Sequence, residues 1–311
     1  MANTPSIIVI MSEDRGSKLF TPQQQFLIFH LRVTQGWDFR FLVYLVAGCH
    51  NMGHGRRRTA SMCFEKMLVA HSVLIERSWG RLWPLAWLEE HKADLYRGEF
   101  QDTTTIADCS STKTRAPKNH VEKRALFSAY YAMCCGKWAI AMSTVGLVSW
   151  NSKVYVGGTS DQRIIVDSNL FAFLYEGLSL LYDKGGGLLE SIARRRGFGY
   201  ACPYRMTEGD ISHCEQRSSH VLSTRRSPVE RMVLLVKGRR LMGPHIITRA
   251  EFGLADMYLT VCSFFTHFEG PLSCQKVYGE TDIVQGLLTE DFTDKAGGGA
   301  AHNAADLIDA D

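Results

Sequence analysis

Three acidic residues stand in contexts that suit metal-assisted chemistry. Asp108 follows the β-prone run 103–107, and Asp183 follows a similar run over 178–182, so each carboxylate is predicted to close a strand. Glu230 lies in a segment with helical periodicity. Carboxylates are the hard oxygen ligands that Mg²⁺ and Mn²⁺ prefer, and phosphodiester cleavage commonly uses two such ions roughly 3.5–4 Å apart. If the fold brings them together, these acids predict metal-dependent phosphodiester cleavage.

Basic residues accompany the acids at two places in the chain. Arg226 lies one turn before Glu230 and Lys237 two turns beyond it, so the three share one face of the predicted helix and the two cations could hold phosphates. A glycine-rich segment over 49–58 ends on three consecutive arginines, which we predict to contact DNA: Arg56, Arg57 and Arg58. The alternative for Arg226 and for Lys237 is an ordinary surface charge, and the alternative for the helical segment with the three arginines is a dimer or packing module.

The charge of the chain is unevenly distributed. The formal net charge is +3 over 311 residues, but residues 276–311 hold eight acids against two lysines, so the preceding 275 residues carry +9 by subtraction. A basic body favours a polyanionic partner such as DNA, although a solvated surface with a disordered tail would give the same balance. No apolar run reaches the length of about 18 residues that a membrane span needs, so we expect no membrane contact.

The pattern along the chain predicts an α/β protein with four segments. We expect an N-terminal tail over 1–18, a helical module over 19–98, a mixed-sheet domain over 99–274, and an acidic disordered tail over 275–311. In the third segment, strands over 126–133 and 138–144 are predicted to pair across a turn at 134–137, and a third strand begins at 146. Helices are predicted over 160–175 and 187–196. This order, three antiparallel strands followed by helix, strand and helix, is typical of a ribonuclease H-like mixed sheet.

With these motifs placed, the chain resembles DDE-superfamily endonucleases of the PIF/Harbinger transposase type, a group that includes host genes derived from such transposons. The resemblance extends from about residue 19 to residue 273, and its N-terminal part resembles a helix-turn-helix module. The stretches that carry it are 106–109, 115–118, 127–131, 157–161, 167–168, 183–185, 228–231, 261–266 and 271–272.

The resemblance implies a nuclease that acts on DNA with Mg²⁺ or Mn²⁺, in the nucleus or in both nucleus and cytoplasm. Such proteins often act with a separate DNA-binding partner, and a homo-oligomer is a further expectation. By motif, Asp108 is the first acid of the catalytic triad that the resemblance implies, and Glu230 is the third. Two residues compete for the second place. Asp183 has a strand predicted to lie beside that of Asp108, while Asp161 ends a Gly-Gly-Thr-Ser-Asp motif at a separation often used to define this triad.

Two positions depart from the pattern of that group. Gly186 replaces an aromatic residue and leaves three glycines in succession, and Pro228 replaces a histidine two residues before Glu230. A proline inside a helix costs about 3 kcal/mol, unless Pro228 begins the helix and places Glu230 in its first turn. An insertion near Gly53 and Gly55 also alters the helical module. These departures keep open the alternative of an inactive relative that acts as a DNA-binding or scaffold protein.

Overall fold

The computed structural model describes residues 19–48, 54–78, 83–183, 187–203, 213–243 and 247–272. The predictions for the two tails, for the turn at Gly186 and for the insertion near Gly53 lie outside this part of the chain. The α-helices are α1 (Pro22–Gln35), α2 (Phe39–Ala47), α3 (His54–Ser78), α4 (Leu85–Glu90), α5 (His120–Leu126), α6 (Asp161–Asp167), α7 (Gly187–Arg195), α8 (His213–Gly238), α9 (Arg249–Phe252) and α10 (Ala255–Phe265). The strands are β1 (Thr103–Lys113), β2 (Phe127–Ser128), β3 (Met133–Ser143), β4 (Val148–Asn151), β5 (Tyr155–Val156), β6 (Ser179–Leu181) and β7 (Gly199–Ala201).

Local signals set the ends of the first helices. Thr21 caps α1 by accepting a hydrogen bond from the backbone of Gln24, whose side chain accepts in return from the Thr21 backbone, and Gly36 ends the helix in a left-handed conformation. Asp38 caps α2. Helix α3 begins at His54, so the three arginines of the glycine-rich segment lie within its first two turns.

One mixed sheet forms the centre of the molecule. Its order is β2-β3-β1-β6-β7, with β4 and β5 also paired to β3. Strand β3 runs antiparallel to β1 and to β4, whereas β6 lies parallel to β1 and β7 parallel to β6. The predicted adjacency of the Asp183 strand and the Asp108 strand is therefore confirmed. Helices cover both faces, and this mixed α/β arrangement is consistent with a ribonuclease H-like fold.

The antiparallel part of the sheet differs from the prediction. The residues 134–137, expected to form a turn, lie inside β3, and residues 113–105 of β1 pair with residues 135–143 of β3. Only Phe127 and Ser128 of the expected strand over 126–133 pair ahead of β3. The first residue of that range ends α5, residues 129–132 form a turn, and the last residue begins β3. The three antiparallel strands are thus β1, β3 and β4. The expected helix over 160–175 ends at Asp167, with a 3₁₀ turn over Leu170–Phe173 after it.

Two hydrophobic cores lie on the two faces of the sheet. Alternate residues of a strand point to opposite faces, so Ile106, Ile140 and Met142 pack with α8 and α10 on one side. Ala107, Ala139 and Ala141 pack with α6 and α7 on the other. The N-terminal helices extend the first of these cores, because Phe29, Phe64 and Leu68 pack with Leu259 and Phe265 of α10. These contacts do not establish a helix-turn-helix, and the domain boundary at 98/99 stays a prediction.

Helix α8 carries Glu230 and contains Pro228 in its interior. The alternative in which Pro228 begins the helix is therefore wrong, and Glu230 does not lie in the first turn. Proline cannot donate a backbone hydrogen bond and loosens the carbonyls of the preceding turn. The carbonyl of Arg225, three residues earlier, accepts a hydrogen bond of 2.8 Å from the hydroxyl of Tyr96. Among the described helices, none is long and apolar enough to cross a membrane.

Candidate active site

Strand register brings Asp108 and Asp183 to the same level of the sheet. Ile106 of β1 pairs with Leu181 of β6 in a parallel ladder, and each acid follows two residues later. Because aligned residues of parallel neighbours point to the same face, both carboxylates reach the side covered by α8. Asp108 lies within β1, which continues to Lys113, so the expectation that it closes its strand is wrong. Asp183 follows the last residue of β6 by two positions.

Arg226 of α8 joins the two carboxylates. Its NH1 donates to Oδ1 of Asp183 at 3.0 Å, and its NH2 donates to Oδ1 of Asp108 at 3.3 Å. The arginine side chain is 7% exposed, against 19% for Asp108 and 53% for Asp183. The sequence predicted that Arg226 would hold a phosphate; in the structure it occupies the space between two acids.

The electrostatics of Asp108 reflect this crowding. Burial raises the pKa of Asp108 to about 6, from an ordinary value of 3.8. The Arg226 guanidinium opposes this rise in pKa, while the carboxylates of Asp183 and Glu230 add to it. Loss of hydration at Asp108 therefore outweighs the effect of the single arginine on its pKa.

Glu230 and Lys237 lie on the same helix near this pair. Glu230 is exposed and makes no hydrogen bond or ion pair with the other residues that the structure describes, although its charge acts on Asp108. Burial lowers the pKa of Lys237, and the nearby Asp108 carboxylate opposes that shift. The predicted helix face of Arg226, Glu230 and Lys237 thus borders Asp108.

Asp161 lies on the opposite face of the sheet. Its carboxylate pairs with Lys137 of β3, whose ammonium also donates to the carbonyl of Thr159 at 2.9 Å. Lys137 is opposite Ser111 in the β1–β3 register, and residues at odd positions here point away from Asp108. The structure therefore joins Asp183, and not Asp161, to Asp108.

Sequence reasoning missed two roles in this region. It did not predict the ion pair of Lys137 with Asp161, although a lysine among the apolar residues of β3 would have been a signal, because a buried ammonium needs a partner. It also gave Arg226 no acidic partner. The spacing of Arg226 and Glu230 showed only that they share a helix face, and the pairing with Asp108 depends on tertiary packing.

A divalent cation fits part of this arrangement. Oxygens of Asp108 and Asp183 already share one cationic group, the guanidinium, so their positions and chemistry suit a metal ion. Within the described residues, however, no three His, Cys, Asp or Glu side chains are grouped to hold a metal. A site of three carboxylates would need Glu230 to approach and Arg226 to withdraw.

Comparison with known proteins found one matching family. The sequence model of one family, described as DDE superfamily endonuclease, matches residues 107–267, which is more than half of the chain. The chain therefore belongs to the DDE superfamily of endonucleases. The match contains all four candidate acids together with Arg226 and Lys237. No curated protein and no solved structure matches the chain.

Proposed function

We propose that the protein is a transposase-derived endonuclease of the PIF/Harbinger type that cleaves DNA with Mg²⁺ or Mn²⁺. The observation that carries the proposal is the carboxylate pair of Asp108 and Asp183, which shares one cation beside a helix that also bears Glu230. Family membership supports a nuclease, and the excess of positive charge ahead of the acidic tail suits DNA. A nuclear location, a separate DNA-binding partner and self-association belong to the same proposal.

In this proposal Asp108, Asp183 and Glu230 would hold the metal, and Asp161 would not. A bound ion would supply activation of the attacking oxygen and stabilisation of the leaving one. The chain itself places Asp108 on β1 and Asp183 just beyond the end of the neighbouring β6, which defines where a phosphate can lie. Lys237, half-buried near Asp108, is suited to attract the phosphate backbone.

The first test is nicking of supercoiled plasmid by the purified full chain. We expect conversion to open circles with Mg²⁺ or Mn²⁺ and none in EDTA, because two carboxylates and one arginine alone cannot neutralise a cleaved phosphate. If the chain binds DNA but leaves it intact with either ion, over a range of metal concentrations, the endonuclease assignment is wrong.

A second candidate is a DNA-binding protein without catalysis. It is favoured by the position of Arg226 between the acids and by the lack of a three-carboxylate group among the described residues. Such a protein would keep the basic surfaces of the family and use them for binding alone. Binding in EDTA with no cleavage in any metal would support it.

Both candidates predict the same role for the arginines of α3. Changing Arg56, Arg57 and Arg58 together to alanine should weaken DNA binding at all sequences and lower the slope of log K against log salt by about 2–3, since each phosphate contact contributes about 0.9. Fluorescence anisotropy over a range of salt concentrations measures this slope.

A charge-matched control removes three surface arginines that already pair with acids: Arg97, Arg163 and Arg249. It has the same net charge as the α3 variant but keeps the first turn of α3. Equal slopes for the two variants would show that DNA contacts a different surface.

A further inference from the structure

We propose that Arg226 is a positioning residue that competes with the divalent cation for Asp108 and Asp183, and so sets the metal affinity of the site. The inference rests on the proposed function, in which a metal binds this acid pair. It gives Arg226 a role in the change from the metal-free to the metal-bound protein, in addition to contact with DNA.

The geometry makes the guanidinium a direct competitor. Each of its terminal nitrogens contacts one carboxylate, and both contacts use Oδ1. A planar guanidinium presents donors in a fixed fork, so one arginine can hold two acids at a defined separation. A metal bound to the same oxygens would need the space that these nitrogens fill.

The arginine is held in place by its helix. Arg226 is 6% exposed and is followed in α8 by the buried Pro228 and Val229, which anchor this part of the helix against the sheet. Its Nε is also buried and makes no hydrogen bond within the described residues. A side chain buried in this way samples fewer rotamers than a surface arginine, so it stays close to the oxygens that a metal would use.

Charge balance explains why a metal can still displace it. The two carboxylates carry two negative charges and Arg226 supplies one positive charge, with Glu230 adding a third negative charge nearby. A divalent ion would neutralise the pair completely. The released guanidinium, with five N–H donors, would then be available to bind a phosphate oxygen bidentately. Metal binding would thereby free Arg226 to contact the substrate.

A purely structural role makes the opposite prediction. If Arg226 only holds the acids together, its removal lets the two like charges separate, and the site binds metal more weakly. If it competes, its removal frees the oxygens, and the site binds metal more tightly. The direction of the change in Mn²⁺ affinity therefore decides between the two roles.

The experiment is titration of the full chain with Mn²⁺, with the free ion measured by electron paramagnetic resonance. We expect Arg226→Met to bind Mn²⁺ about tenfold more tightly than the unaltered protein, on the order of the loss of one hydrogen bond to a charged group. Arg231→Met is the matched control, because Arg231 lies on the exposed side of the same helix and its change should leave the affinity as it was.

Melting temperatures extend the test to a less stable variant. Arg226→Met should melt earlier than the unaltered protein in EDTA, because the acids lose their partner, and Mn²⁺ should raise its melting temperature by more. Arg226→Lys keeps the charge without the fork, so it should bind Mn²⁺ more tightly than the unaltered protein but less tightly than Arg226→Met. It gives the test a second variant if the methionine variant does not fold.

Unchanged or weaker Mn²⁺ binding in the Arg226 variants would overturn the inference, as would no binding to any of the proteins. The two proposals can fail separately. Tighter binding in Arg226→Met without DNA cleavage would retain the competition and remove the nuclease. Metal-dependent cleavage by the unaltered chain with unchanged affinity in Arg226→Met would do the reverse.

Discussion

Replacing Asp108 by asparagine is expected to abolish DNA nicking and to stabilise the metal-free protein. Asparagine has nearly the shape of the acid but lacks the charge that would hold a metal beside Asp183. The nicking rate should fall by on the order of 10²–10³-fold or more, the range found when a charge-stabilising group is removed from an active site. Plasmid nicking at matched protein concentrations measures this loss.

The Asp108→Asn variant should gain stability although it loses activity, and the reason is electrostatic. Burial raises the pKa of Asp108 to about 6 in the folded protein, while the ordinary value is 3.8. An acid with a raised folded-state pKa reduces stability as pH rises through this window, because the unfolded chain loses its proton first. At pH 7 in EDTA the asparagine variant should be more stable by up to about 2–3 kcal/mol. At pH 4, where the acid is largely neutral in the fold, the difference should be small.

Three further variants make the result interpretable. Asp94→Asn changes a fully exposed acid on the surface and should alter neither nicking nor stability. Asp161→Asn tests the second acid: if it nicks DNA while an Asp183→Asn variant does not, Asp183 holds the second place. Full activity in Asp108→Asn would remove Asp108 from the site.

The sequence indicated that Asp108 and Asp183 could be neighbours, with Asp161 as a competitor, because its signals are local. Each β-prone run lies directly before its acid, and the distance between the two runs leaves room for the intervening strands and helices. Parallel pairing of β6 with β1 then follows from the order of elements. Ile106 pairs with Leu181 and each acid lies two residues further on, so the two acids lie at the same level of the sheet. The same argument favours Asp183 over Asp161 from sequence alone.

The lengths of β1 and β3 could not be predicted in the same way. After Asp108 the chain continues with polar residues that suggest a loop, yet Thr112 accepts a hydrogen bond from the indole of Trp138 and donates to the carbonyl of Met242. Gly136 and Lys137 suggest a turn. In the structure, a Cβ on Gly136 would lie 2.6 Å from Cγ1 of Val154, so glycine permits close packing within a strand. These contacts are all distant in sequence.

Replacing Gly157 by alanine should destabilise the fold by about 3 kcal/mol, at the upper end of the usual cost of overpacking. A Cβ at this position would lie 2.2 Å from the carbonyl oxygen of Leu126 and 2.8 Å from that of Cys135. Both atoms belong to backbone, at the end of α5 and within β3, so neither can move without disturbing its element. Gly157 therefore lets the chain leave β5 and cross closely over the sheet on its way to Asp161.

Gly253→Ala provides the comparison. Gly253 has a negative φ of −65° and no atom within 4 Å of an added Cβ, so its change should stay within about 0.5 kcal/mol. Urea unfolding of both variants measures the difference, and equal stabilities would show that the crossing at Gly157 is looser than described. If Gly157→Ala lowers stability but its folded fraction still nicks DNA, the Gly-Gly-Thr-Ser-Asp motif acts in packing. That result would separate the motif from the chemistry at Asp108 and Asp183 on the other face of the sheet.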